Sequence, residues 1–398
     1  MINKNIQALG KSRSVIREIF EYGRKRKSEI GEENVFDFSL GNPSVEPPEA
    51  LTERLFELIK DESAVSLHSY TSSDGELSVR RAIAEELSKR YNEEILPECL
   101  FMTMGAAMAL TTVITAVVCP NEEVICLTPY FPEYRVFIER VGGVVREVKT
   151  KEESFGLDLF DISQNINEKT AAIIINSPNN PTGAVYTEEE LSSLGKALRE
   201  AEKKYGRTIY LISDEPYREL VYTEGGAPFV LKYYADTVIC YSYSKSLSLP
   251  GERIGYALIS PKIADFESVK EAVMGAARSL GHVCAPSLLQ KLIGKVTDLS
   301  PRISEYRENG ELLYRSLTEL GYTARRPDGA FYLFVRALES DAVSFCEVAR
   351  RFELLLVPSD SFGITGYVRL AYCVSRAQIE KSIPAFKKLI EYYKRQEK

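Results

Sequence analysis

Apolar positions along the chain fall into two rhythms. Short, nearly continuous apolar runs at Leu100–Met104, Glu123–Tyr130, Val144–Val148, Thr170–Asn176, Thr208–Tyr217, Asp236–Tyr241 and Gly255–Ser260 read as strands. Several lack alternation, the mark of strands covered on both faces. Between them, apolar residues recur at helical spacing in Glu49–Lys60 (which follows Pro47 and Pro48), Glu76–Tyr91, the stretch opening at Gly105, and Glu133–Val141. Thr187, with Glu189 and Glu190 just after it, is the cap and acidic first turn of another helix. Strands alternating with helices predict an α/β fold with a mostly parallel sheet.

The two ends differ. Residues 12–30 predict a highly charged helix, with Arg13, Arg17, Arg24, Lys25, Arg26 and Lys27 against Glu18, Glu21 and Glu29, and with Val15, Ile16, Ile19 and Phe20 on one face. Beyond residue 260 helices dominate: Ile263–Arg278, one starting near Ala285 and Pro286, and Ile303–Leu320. Strands at Pro327–Val335, Leu354–Pro358 and Tyr367–Tyr372, with a helix at Ala342–Phe352, predict a small α+β domain.

At 398 residues the chain suggests two domains. A net charge of −7 argues against nucleic-acid or anionic-membrane partners. Seven cysteines without CxxC spacing read as reduced, mostly buried thiols, and two histidines, His68 and His282, are too isolated for a metal site. The first residues carry no apolar signal core, and the longest apolar run, near Ala106–Cys119, is too short to span a bilayer. These features lead to the expectation of a cytoplasmic protein.

Chemistry-bearing residues gather where strands end. After Asp236–Tyr241 come Ser242, Ser244, Lys245 and Arg253. A lysine there can bond a carbonyl cofactor, and hydroxyls beside a guanidinium suit a phosphate dianion. A cofactor with both groups is pyridoxal phosphate; the alternative is a polar loop with a solvated lysine. Asp214 ends another buried strand, where it either pairs with a cation or caps a turn. Asn180 lies in the Asn-Pro-Thr-Gly turn after Thr170–Asn176, where open α/β sheets bind ligands. Gly105, Ala106 and Ala107 form a strand-to-helix turn that admits either a phosphate or tight packing. Arg369, on an apolar strand, requires an anion, from a neighbouring carboxylate or from a ligand.

Taken together, Ser242-x-Ser244-Lys245, Arg253-x-Gly255, Asp214-x-x-Tyr217, the Asn180 turn and the Phe362, Gly363, Gly366 and Arg369 signature resemble the class I/II aminotransferases, fold-type I pyridoxal phosphate (PLP) enzymes, and specifically their aspartate aminotransferase-like members. The resemblance runs from Gly41 to Arg369. It implies a large domain at 46–285 with a mostly parallel seven-stranded sheet, and a small α+β domain from 1–45, including an N-terminal arm, and 286–398. It also implies roles. Lys245 holds PLP and moves the substrate proton, and Asp214 keeps the ring nitrogen protonated. Asn180 and Tyr217 bond its phenolic oxygen, and Tyr130 lies over its ring. Gly105, Ala106, Ala107, Ser242, Ser244 and Arg253 hold its phosphate, although alanines where the family is often polar leave only backbone contacts there. Gly41 and Arg369 bind the substrate carboxylate. Tyr70, otherwise an exposed loop tyrosine, reaches the neighbouring subunit's cofactor phosphate in a homodimer with shared sites. Arg278 either caps its helix or binds a distal carboxylate across the dimer, and the Asn-rich sequence that usually follows such an arginine is missing.

The implied reaction is ping-pong transfer of an amino group, with aspartate as donor and a 2-oxo acid such as 2-oxoglutarate as acceptor. Rivals are a pocket for aromatic or neutral donors and a cysteine-sulfur β-lyase of the same fold. A PLP-binding regulator would carry a DNA-binding module, and no basic helix-turn-helix extension is present.

Overall fold

A computed structural model describes residues 2–11 and 15–396. The helix expected over 12–30 is seen as Val15–Ile30; residues 12–14, with Arg13, lie outside the described residues. The strands are β1 (Phe36–Asp37), β2 (Leu100–Thr103), β3 (Glu123–Thr128), β4 (Val144–Lys149), β5 (Thr170–Asn176), β6 (Tyr210–Asp214), β7 (Thr237–Ser242), β8 (Gly255–Ile259), β9 (Tyr332–Arg336), β10 (Leu354–Leu355), β11 (Val357–Pro358) and β12 (Tyr367–Ala371).

Strands β2 to β8 form one seven-stranded sheet in the order β2-β8-β7-β6-β5-β3-β4. Only β8 is reversed, pairing antiparallel with both β2 and β7. Every residue of β5 is buried, and its side chains alternate between two cores. Ala172 and Ile174 pack with Leu110, Val113 and Val273 on one face. Ile173 and Ile175 pack with Leu191, Leu194 and Leu198 on the other. This two-sided cover is why the strand shows no polar alternation; each of its isoleucines contributes about 2 kcal/mol by leaving water. The helix Glu188–Tyr205 starts at a full capping box, Thr187 with Glu190, and ends on the left-handed Gly206.

A second region packs around the antiparallel sheet β11-β12-β9. Its core joins Phe38, Tyr306, Leu313, Phe331, Leu333, Phe345 and Phe386. The last two come from the helices Ala342–Arg350 and Arg376–Gln396; the second of these helices, and the short ones at Ala64–His68 and Leu159–Asn165, are additions to the sequence reading. The expected boundary after 285 falls inside a continuous core. Leu292 and Ile293 of the helix Ser287–Lys295, and Val296 beyond it, pack with Leu58, Val79 and Ile83 of the large region. The reason is that the helix presents its apolar face to the helices before β2, not to the small sheet.

Cys99, Cys126, Cys240, Cys346 and Cys373 are buried as free thiols, whereas Cys119 is exposed. No helix among the described residues is long and apolar enough to cross a membrane.

Candidate active site

The carboxyl ends of the parallel strands open into a cleft of about 1090 Å³ between the two regions. Lys245, Asp214, Asn180, Tyr217, Ser242, Ser244, Arg253, Ala106, Ala107, Gly41 and Arg369, expected from the sequence, all line it. Residues distant along the chain therefore share one space: most sit at or beyond the ends of strands of the large sheet, and Arg369 reaches in from the middle of β12.

Asp214 is the last residue of β6 and is buried. Its Oδ2 accepts a hydrogen bond from the Tyr134 hydroxyl at 2.5 Å, while Oδ1 is buried without a partner among the described residues. Burial pushes its carboxyl up to about 7, against the opposing effect of the Tyr134 hydrogen bond. A cation opposite Oδ1 would bring it back down. Asn176, ending β5, donates to the Asp214 carbonyl at 2.8 Å and accepts from the Asn180 amide at 2.7 Å. This ties the Asn180 turn to the end of β6.

Lys245 lies in a single helical turn, Tyr243–Ser246, that Ser242 caps by accepting from the Ser244 amide. Its Nζ donates to the Gly41 carbonyl at 2.6 Å. Burial lowers the ammonium to about 8, which makes the neutral, nucleophilic amine accessible near neutral pH.

Beside Lys245 is an anion cradle. Ser242 and Ser244 hydroxyls lie 2.8 Å apart, and Arg253 Nη1 donates to Ser244 Oγ at 3.2 Å. Gly105, at φ +81°, turns the chain from β2 into the helix Ala106–Val117. A Cβ on Gly105 would meet Arg253 Nη2 at 2.7 Å, so only glycine leaves the cradle open. The helix start adds backbone N–H groups, and the alanines keep it shallow.

Arg369, on β12, is buried without a carboxylate partner among the described residues. Nη1 donates to Asn180 Oδ1 at 3.1 Å, Nη2 donates to the Ser39 carbonyl, and Nε has no partner. Its guanidinium lies 4.7 Å from the Tyr332 ring centre and 5.3 Å from that of Phe362. Burial lowers its pKa, so an anionic ligand is favoured there. Tyr217 contacts Tyr332, hydroxyl to hydroxyl, at 2.8 Å.

Tyr130 departs from the expectation. Its hydroxyl points away from the cleft, donating to Glu147 at 2.7 Å and accepting from Arg135 at 3.1 Å. Phe131, the next residue, lines the cleft instead. The β3 end turns so that the Tyr130 hydroxyl finds charged partners, which a phenol over a ligand ring would forgo. Tyr70 is 88 % exposed and does not line its own chain's cleft. Arg278 is exposed in the last turn of Phe266–Ser279, where its carbonyl helps cap the helix, and it too lies outside that cleft. Sequence reasoning missed Tyr134, Phe131 and Tyr332. Phe131, adjacent to Tyr130 in an aromatic pair, carried a visible signal; the other two are linked to the site only by contacts across the fold.

The arrangement fits PLP on its own evidence. The cradle suits a phosphate, the orphaned Oδ1 of Asp214 suits a protonated ring nitrogen, and Lys245 can bond an aldehyde.

The family description "Aminotransferase class I and II" matches residues 33–386. An aspartate aminotransferase from Thermotoga maritima is 31% identical over 374 residues, covering 92% of this chain and 95% of its own. A probable aspartate/prephenate aminotransferase from Aquifex aeolicus is 31% identical over 375 residues, covering 90% and 91%. The crystal structure of an amino transferase from Eubacterium rectale superposes with a TM-score of 0.96 at 47% identity, covering 99% of each chain. With the strand order, the lysine turn and the anion cradle, these likenesses establish that the chain belongs to the class I and II aminotransferases.

Proposed function

We propose that this aminotransferase takes the amino group of L-aspartate and gives it to a 2-oxo acid such as 2-oxoglutarate, in a ping-pong reaction with PLP. The observation that carries the chemistry is the orphaned Oδ1 of Asp214 facing the cleft that also holds Lys245. When bound, PLP supplies an electron sink for the pair released from the substrate Cα–H bond.

The chain's residues do the rest. Asp214 holds a proton at the ring nitrogen, with Tyr134 fixing the carboxylate's orientation. Lys245 would hold the cofactor's aldehyde carbon, and its buried amine is placed to act as the base that takes the proton from the substrate Cα. Arg369 exchanges Asn180 and the Ser39 carbonyl for the substrate carboxylate. Gly105, Ala106, Ala107, Ser242, Ser244 and Arg253 anchor the phosphate, and Phe131 supplies the flat apolar wall.

The aspartate preference is supported by the names of the relatives. Two arginines are candidates for the second carboxylate: Arg278 of a second copy, in a homodimer that also brings Tyr70 to the phosphate, or Arg17, which lines the mouth of its own chain's cleft. A pocket for aromatic donors is the second reading, favoured by the exposed apolar Phe20 and Leu40, which line the same cleft.

The test has two parts. Borohydride reduction of the loaded enzyme should fix the cofactor on Lys245, by mass spectrometry; an adduct on another lysine would end the assignment. Half-reaction spectra with aspartate, glutamate, alanine, phenylalanine and tyrosine should rank aspartate first. Phenylalanine or tyrosine ranking first would favour the second reading, and pyruvate release from cystathionine without amino transfer would make the enzyme a β-lyase.

A further inference from the structure

Tyr332 meets three of the expected site residues, Tyr217, Arg369 and Gly41. It is buried on β9, in the small region, and lines the cleft. Its hydroxyl lies 2.8 Å from that of Tyr217, which belongs to the large region. Its ring lies beneath the Arg369 guanidinium at 4.7 Å. That hydroxyl also fills the space beside Gly41, where a Cβ would come within 2.1 Å of it. Gly41 is the residue whose carbonyl holds Lys245.

Resting on the aminotransferase reading above, we propose that Tyr332 is a positioning residue that orders the cofactor side and the carboxylate side of the site through one side chain. A phenol has a single proton. If Tyr332 donates to Tyr217, the Tyr217 proton is left to point into the cleft, toward the oxygen of a bound ring. The Tyr332 face meanwhile holds the Arg369 guanidinium flat by cation–π attraction, which is strong where water is excluded. Packing against Gly41 keeps the carbonyl that receives Lys245 at a fixed distance. The hydroxyl and the ring thus have separable tasks.

Two variants divide them. Tyr332→Phe keeps the ring and removes the hydroxyl; Tyr332→Leu removes both. Both are loaded with PLP and checked for secondary structure by circular dichroism. The first readout is the pH midpoint of the bound cofactor's absorbance change. A phenolic donor stabilises the deprotonated chromophore, and a Tyr217 hydroxyl that itself accepts from Tyr332 is the stronger donor, so Tyr332→Phe should move the midpoint upward by about half a unit. The second readout is the dissociation constant of maleate, an unreactive dicarboxylate, from the same absorbance. It should be nearly unchanged in Tyr332→Phe and weakened about tenfold in Tyr332→Leu. A Tyr332→Phe midpoint equal to wild type overturns the proposal, as does equal maleate affinity in the two variants. Should Tyr332→Leu not fold, the Tyr332→Phe midpoint alone decides. Neither readout requires turnover. An enzyme that transfers no amino group would therefore defeat the functional reading while leaving this test standing.

Discussion

The Tyr134 hydroxyl donates to Asp214 Oδ2 at 2.5 Å, so one oxygen of the buried carboxylate is fixed by the protein and the other is left for a ligand. The bond opposes the rise that burial imposes on Asp214. Tyr134→Phe should therefore lower the rate of the amino-donor half-reaction about tenfold, the value of one buried hydrogen bond to a charged group. Asp214→Ala should cost more, ~4 kcal/mol of transition-state stabilisation, because the partner of the ring nitrogen is lost. Stopped-flow half-reactions measure both, and a near-normal rate in Asp214→Ala would remove the role assigned to it.

Asp214 also sets a pH dependence of stability. Its folded pKa, about 7, is above the ordinary carboxylate value of 3.8. The folded state therefore binds the proton more tightly, and the contribution present at acid pH is lost as pH rises through about 7. Between pH 5 and 8 the loss is about 3 kcal/mol. Urea unfolding of protein without added cofactor should show wild type losing this much relative to Asp214→Asn, which has no such titration. Parallel curves for the two proteins would mean that the carboxyl is not held protonated.

Lys245 should be reactive at a pH where other lysines are not. Burial lowers its pKa to about 8, against an exposed value of about 10.4. Competitive acetylation read by mass spectrometry, again without added cofactor, should give Lys245 a labelling midpoint near pH 8. Exposed lysines as a class should label with a midpoint two or more units higher. A Lys245 midpoint in that upper range would show that the Gly41 carbonyl contact outweighs burial.

Tyr70 tests the shared site. Mixing Tyr70→Phe subunits with Lys245→Ala subunits should restore activity if Tyr70 serves the partner's cofactor, because one site of each hybrid then carries neither defect. Subunit exchange followed by native mass spectrometry confirms that hybrids form. Hybrids without recovered activity would confine Tyr70 to its own chain or remove it from the chemistry.

Much of this was legible in one dimension. Strand ends with short polar motifs marked Asp214, Asn180, Lys245 and Arg253, because the chain itself carries each motif from a buried run into a turn. The apolar run inside Thr170–Asn176, without polar alternation, announced a strand covered on both faces. Contacts between side chains far apart in sequence were not legible. Tyr134 sits inside an amphipathic helix and looks like core until Asp214 is seen beside it. Tyr332 lies 115 positions from Tyr217 and reads as one more aromatic on a strand. Tyr130 is placed over the ring by the family resemblance, while on its own it reads equally as edge packing. Glu147 and Arg135, which draw its hydroxyl elsewhere, come from a neighbouring strand and helix. The helix Ser287–Lys295 was misplaced for a similar reason: periodicity shows that a helix has an apolar face, not which layer receives it.

The reversed strand β8 has a consequence for how the chain acquires its site. β2 has no neighbour in the sheet except β8, with Leu100 paired to Leu258. The cradle likewise closes only when Gly105 meets Arg253. During synthesis, β3 to β7 can associate largely in order, while β2 and the turn after it wait for a segment made much later. Such non-local pairing is slow and leaves an unpaired strand exposed meanwhile. A nascent chain or fragment ending before residue 250 would hold most of the sheet, with Ser242, Ser244 and the Gly105 turn, yet lack Arg253 and the strand that pairs with β2, so the cradle closes at a late stage of folding.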